Sequence, residues 1–144
     1  MTAHIRIIRD TPLSAAEAWQ RLTEWERHGD VVPLTRVTVP TPPPTAVGTR
    51  FVARTGIGRR LGFDDTMEVV EWQPPHRCRM EKRGTFVTGW AEFEVREREG
   101  GGARVEWRED IGVRGVPKAA DPLLAAAGRR MFGRAMNGLL RHGG

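Results

Sequence analysis

In the strand-forming part of this sequence, where every second residue is apolar, Asp65, Lys82 and Glu109 fall on the apolar phase. A charge placed among apolar neighbours must find a partner or shift its pKa, because desolvation penalises the ionised form. Such a trio can fix the polar end of a bound molecule or move a proton. Glu109 as a base with Lys82 as its electrostatic partner would suit removal of an acidic proton and stabilisation of the resulting enolate. The other reading is that strand ends or bulges turn these three residues toward water, since one extra residue reverses the phase of a strand.

Other catalytic material is sparse. The single serine, Ser14, is placed to cap a helix, so a serine–histidine–acid triad has no nucleophile to spare. The histidines His4, His28, His76 and His142 are scattered. His76 and Cys78 share one strand phase, but nothing further has zinc-like spacing, so neither a metal nor another cofactor is expected. The chain has no tyrosine, which removes one common hydroxyl acid.

The elements that carry these residues follow from periodicity. Residues 4–9 read as a strand, followed by a capping box at Ser14 and Glu17 that opens a helix with Ala15, Ala18, Trp19 and Leu22 on one face, ending near Thr23. A second short helix covers 25–28, stopped by Gly29 and Pro33. Strands are predicted over 34–39, 49–55, 63–72, 76–83, 86–97 and 103–112, separated by Pro- and Gly-rich turns. From Pro117 the period changes: Leu123, Leu124, Ala127, Met131, Ala135 and Leu139 recur every three or four residues, with Asp121 and Pro122 suited to the cap and first turn of a long amphipathic helix. The expected fold class is α+β. A seven-stranded antiparallel sheet packs against the final helix, with two short helices between strands one and two.

Strand phase also sorts the faces. Val37, Val39, Phe51, Ala53, Phe63, Met67, Val69, Cys78, Met80, Phe93, Val95, Val105, Trp107 and Ile111 share the inner phase. Arg50, Arg54, Glu68, Arg77, Arg79, Glu92, Glu94, Arg104, Glu106 and Arg108 share the outer one. Trp90 falls with the outer set. From the helix, Met131, Phe132, Ala135 and Met136 face inward, while its Gly128, Gly133 and Gly138 leave room either for a cavity or for close packing. The segment from Gly56 to Gly62 reads as a flap with two arginines or as an ordinary hairpin loop; it lacks the spacing of a phosphate-binding loop.

Composition bounds the class. The 144 residues suit one domain over 1–144, with 39% hydrophobic and 28% charged residues. Lys and Arg number 23 against 18 Asp and Glu, for a net charge of +5. Arginine and glutamate alternate along the strands instead of gathering cations, so nucleic acid is not an expected partner. The longest nonpolar run, from Leu123 to Gly128, is far below the roughly 20 residues that span a bilayer. With a lone Cys78 and no leader-like start, the expected location is the cytoplasm.

The order of elements, the Ala18-Trp19 step, the turn Trp25-Glu-Arg-His-Gly-Asp-Val-Val-Pro33, Phe63-Asp-Asp-Thr-Met67 followed by Val70-Glu-Trp-Gln-Pro-Pro75, and the strand Ala103-Arg-Val-Glu-Trp107 resemble the SRPBCC, or START-like helix-grip, superfamily. Within it the chain is similar to small bacterial polyketide cyclase/dehydrase-like proteins. The resemblance implies a curved sheet wrapped around the C-terminal helix and an apolar cavity between them for lipid-like, polyketide or aromatic molecules. On that basis the ligand-binding residues expected are Phe51, Phe63, Asp65, Met67, Met80, Phe93, Trp107, Glu109, Met131, Phe132, Ala135 and Met136, with Glu109, Asp65 and Lys82 the catalytic candidates. The leading expectation is a non-catalytic binder of a small hydrophobic molecule, monomeric or homodimeric. The alternatives are a polyketide aromatase/cyclase or dehydratase, and a protein-interaction or toxin–antitoxin module on the same fold.

Overall fold

A computed structural model describes residues 3–32, 34–57 and 61–141; the side chains of Ile57 and Leu61 are not described. Seven strands, β1 (Ala3–Thr11), β2 (Thr35–Thr38), β3 (Arg50–Ile57), β4 (Leu61–Gln73), β5 (Arg77–Lys82), β6 (Val87–Glu97) and β7 (Ala103–Val113), form one antiparallel sheet in the order β1-β7-β6-β5-β4-β3-β2. Helix α1 (Ala15–Thr23), a 3-10 turn (Trp25–Arg27) and α2 (His28–Val31) link β1 to β2, and α3 (Asp121–Leu139) closes the chain after a second 3-10 turn (Lys118–Ala120). The sheet curls around α3, as expected. No helix among the described residues is long and apolar enough to cross a membrane.

Local chemistry explains most of these elements. Ser14 Oγ accepts the Glu17 amide at 3.1 Å, satisfying a free donor at the start of α1, which buries Ala15, Ala18, Trp19 and Leu22. The helix after Trp25 does not stop at Gly29. It runs to Val31, and a Cβ at Gly29 would lie 3.0 Å from the Thr35 carbonyl oxygen, so glycine lets β2 approach the helix backbone. The second expected stop, Pro33, lies outside the described residues, as does His142. Helix α3 starts one residue earlier than expected, with Ala120 as cap and Asp121 inside the first turn. Two glycines of α3 allow close packing: a Cβ at Gly128 would collide with Ile5 Cδ1, and one at Gly138 would stand 2.7 Å from Val31 Cγ1. Strand pairing of β3 with β4 continues to Ile57 opposite Leu61, so the expected flap is largely a hairpin stem; its Gly58, Arg59 and Arg60 lie outside the described residues.

Two departures from strict alternation shape the inner face. Between Val69 and Glu71 the β4–β5 register slips by one residue, so Trp72 pairs with Cys78 and turns inward, where it meets Trp19 at 5.1 Å between ring centroids. Trp90 does lie on the outer face, half-buried beneath the Arg79 guanidinium at 4.5 Å from its ring centroid.

The outer face is an ion-pair lattice in which Glu92 is a correction to the expected solvent pattern. It is 6% exposed and contacts three arginines, Arg77 at 3.2 Å, Arg79 at 2.5 Å and Arg108 at 3.0 Å. Glu92→Gln leaves three like charges without their shared counter-charge, and urea unfolding is expected to show a loss of about 2 kcal/mol.

Candidate functional site

The concave side of the sheet is divided into a filled half and an open half. In the filled half, α1 and the following 3-10 turn insert Trp19 and Trp25. Trp25 stacks on Phe51 at 4.5 Å with rings 10° apart and reaches Phe93, which in turn meets Trp107 edge-on at 5.0 Å. Met80, Phe93, Ala135 and Met136, all expected on the binding wall, are packed in this core and do not line the open half. Cys78 is buried here too; burial pushes its thiol up to about 12, so it is not a nucleophile.

The open half is a cavity of about 280 Å³ between the sheet and α3. Phe51, Phe63, Met67, Trp107, Met131 and Phe132 line it, joined by Val37, Ala53 and Ile111 of the inner strand phase and by Leu124 and Gly128 of α3. Phe63 and Met131 are 37% and 38% exposed, placing them toward the solvent side of the wall.

Asp65, Lys82 and Glu109 stand together in this wall. They come from β4, β5 and β7, and the intervening β6 presents only Gly89 and Ala91 alongside, leaving space for the long lysine chain to cross. Lys82 Nζ donates to Asp65 Oδ2 at 2.6 Å and lies 3.9 Å from Glu109 Oε2. Trp107 Nε1 donates to Glu109 Oε1 at 3.3 Å. The side chains of Lys82 and Glu109 are 1% and 3% exposed, so neither is turned to water. Two oxygens, Asp65 Oδ1 and Glu109 Oε2, are buried without a hydrogen-bond partner.

The electrostatics follow from this arrangement. Burial pushes the Glu109 carboxyl up to about 7; the Lys82 ammonium opposes the rise, Asp65 reinforces it, and the Trp107 indole N–H opposes it. Burial pulls Lys82 down, but Glu109 and Asp65 together outweigh it and hold the ammonium charged. The corner therefore couples a fixed cation to a carboxyl that titrates near neutrality, and such a group can bind a polar atom or exchange a proton.

His28 also lines the cavity and escaped the strand-phase reading because it sits on α2. Its Nε2 donates to the Leu22 carbonyl at 2.7 Å, and burial lowers its pKa, so the ring is neutral with its lone pair on Nδ1.

The family described as polyketide cyclase / dehydrase and lipid transport matches residues 2–143. No curated protein matches the chain. Among solved structures, the Zhui aromatase/cyclase from Streptomyces sp. R1128 is similar with a TM-score of 0.75 at 13% identity, over 97% of this chain and 92% of that one. A START superfamily protein from Mycobacterium smegmatis gives 0.76 at 10% identity, over 95% and 96%. A protein from Thermus thermophilus gives 0.76 at 15%, over 94% and 93%. At these identities the likeness is one of fold.

Proposed function

Because the chain belongs to the polyketide cyclase/dehydrase and lipid transport family, we propose that it is a single domain over 1–144 that binds a small apolar or amphipathic molecule without covalent chemistry. The observation that carries this reading is the open half of the concave face, about 280 Å³ of apolar-walled space with one polar corner. Ligand sites are typically such concave apolar spaces with a few convergent polar groups. The volume is nearly twice the roughly 150 Å³ of a cavity that accepts benzene, so one or two fused rings or a short chain fit, and burial of their apolar surface at about 25 cal/mol per Å² supplies affinity.

Solvent extraction of the purified protein followed by mass spectrometry is expected to release a bound molecule. Titration with aromatic compounds, quinones and fatty acids is expected to raise Tm with at least one of them, since a ligand at a hundred times its Kd adds about 2.7 kcal/mol to stability. An empty extract together with an unmoved Tm across the panel overturns the binding reading.

One observation supports a second reading, an aromatase/cyclase or dehydratase: Glu109 titrates at about 7 beside a charged lysine, as a general base should. Under it, Glu109→Ala and Asp65→Ala, tested separately on a poly-β-ketone, lose turnover while retaining most binding. Unchanged turnover in both variants removes these roles.

A further inference from the structure

The polar corner carries a more specific demand than polarity. Lys82 Nζ spends one of its protons on Asp65 Oδ2, while Glu109 Oε2, 3.9 Å from the same nitrogen, has no hydrogen-bond partner. Two atoms at that separation can both lie within the usual 2.7–3.0 Å of one bridging oxygen, roughly at right angles about it. That oxygen must accept from the ammonium and donate to the carboxylate. A hydroxyl does both with one atom.

Resting on the binding reading above, we infer that the cavity is specific for a neutral hydroxylated ring compound of one or two rings, whose hydroxyl oxygen accepts from Lys82 and donates to Glu109 Oε2.

Competing head groups fail on charge or on hydrogen-bond direction. A carboxylate of similar size would bring a third acid to Asp65 and Glu109 with only one cation among them, a like-charge arrangement that a buried site penalises heavily. An ammonium would face Lys82. An ether or ketone can accept from Lys82 but leaves the ionised Glu109 Oε2 as it is now, buried and without a hydrogen-bond donor. An apolar ring alone satisfies the wall and leaves Glu109 Oε2 without a donor. The hydroxyl alone converts an unsatisfied buried oxygen into a bonded one, and discrimination built on completing such a group is stronger than discrimination by size.

Equilibrium dialysis of the full chain against naphthalene, β-naphthol, the methyl ether of β-naphthol and β-naphthoate separates these cases at a pH where Glu109 is ionised. β-Naphthol is expected to bind about tenfold or more tightly than naphthalene and than the ether, as a hydrogen bond to a charged group provides, with β-naphthoate the weakest. In Glu109→Leu the preference for β-naphthol over naphthalene is expected to vanish while naphthalene still binds. If the ether or the carboxylate matches β-naphthol in the native chain, the hydroxyl assignment is overturned although the cavity reading stands. If none of the four binds, including naphthalene, the cavity reading itself falls and the inference with it. Should Glu109→Leu fail to fold, the ranking in the native chain decides by itself.

Discussion

Replacing Lys82 with methionine is expected to lower the stability of the fold by about 3–5 kcal/mol, measured by urea unfolding above neutral pH. Methionine keeps most of the length and apolar body of the lysine, so packing changes little and charge dominates the result. The ammonium is the only cation paired with Asp65 and Glu109 among the ion pairs of the described residues. Its loss leaves two acids in a wall where Glu109 is 2% exposed. Protonation relieves part of the penalty, which makes the loss larger as pH rises. The triple variant Lys82→Met/Asp65→Asn/Glu109→Gln removes all three charges and is expected to recover most of the stability. A triple variant as unstable as the single one would show that the methionine disrupts packing and that the ion cluster is not what the lysine supports.

The second large effect is a pH dependence. Glu109 ionises at about 7 in the fold against an ordinary 4.5. Below 4.5 both the folded and unfolded states hold the proton, and the group is neutral to stability. Between 4.5 and 7 the unfolded chain releases it while the folded protein keeps it, so folded stability falls as pH rises; above 7 both have released it and the loss is constant. The shift corresponds to about 3 kcal/mol across that window. Glu109→Gln resembles the protonated acid and lacks this slope. It is therefore expected to match the native protein near pH 4.5 and to exceed it by about 3 kcal/mol above pH 7, in urea titrations repeated across the range. Parallel pH profiles for the two proteins would refute the raised pKa. A site that keeps an acid whose neutral counterpart is more stable trades stability for what the acid does there.

Strand phase exposed the polar corner because a charge on an apolar phase contradicts its neighbours, and Asp65, Lys82 and Glu109 each did so within its own strand. Which of them touch depends on register across three strands and on the small inner residues of β6, and neither is visible in any one segment. The periodicity of α3 showed its apolar stripe, yet it could not separate Met131 and Phe132, which face the hollow, from Ala135 and Met136, which face the core. That division is imposed by Trp19 and Trp25, long-range intruders from a different part of the chain. The same intrusion removes Met80 and Phe93 from the wall. His28 was missed for a related reason: a side chain on a one-turn helix has no alternation to violate. Glu92 obeyed the outer phase, and only the assembled sheet shows three arginines closing over it.

The slip after Val69 has a consequence for how such a protein can change. Trp72 helps fill the closed half only because one additional residue inverts the phase of β4 at that point. Deleting Val70 would straighten β4 while leaving Glu71 opposite Arg79 and Trp72 opposite Cys78, so the indole would stay in the closed half and only the bend of the strand would change. A strand of unchanged length paired without the slip would instead send Trp72 to the exterior, so the closed half is held by the bulge as much as by the tryptophan itself.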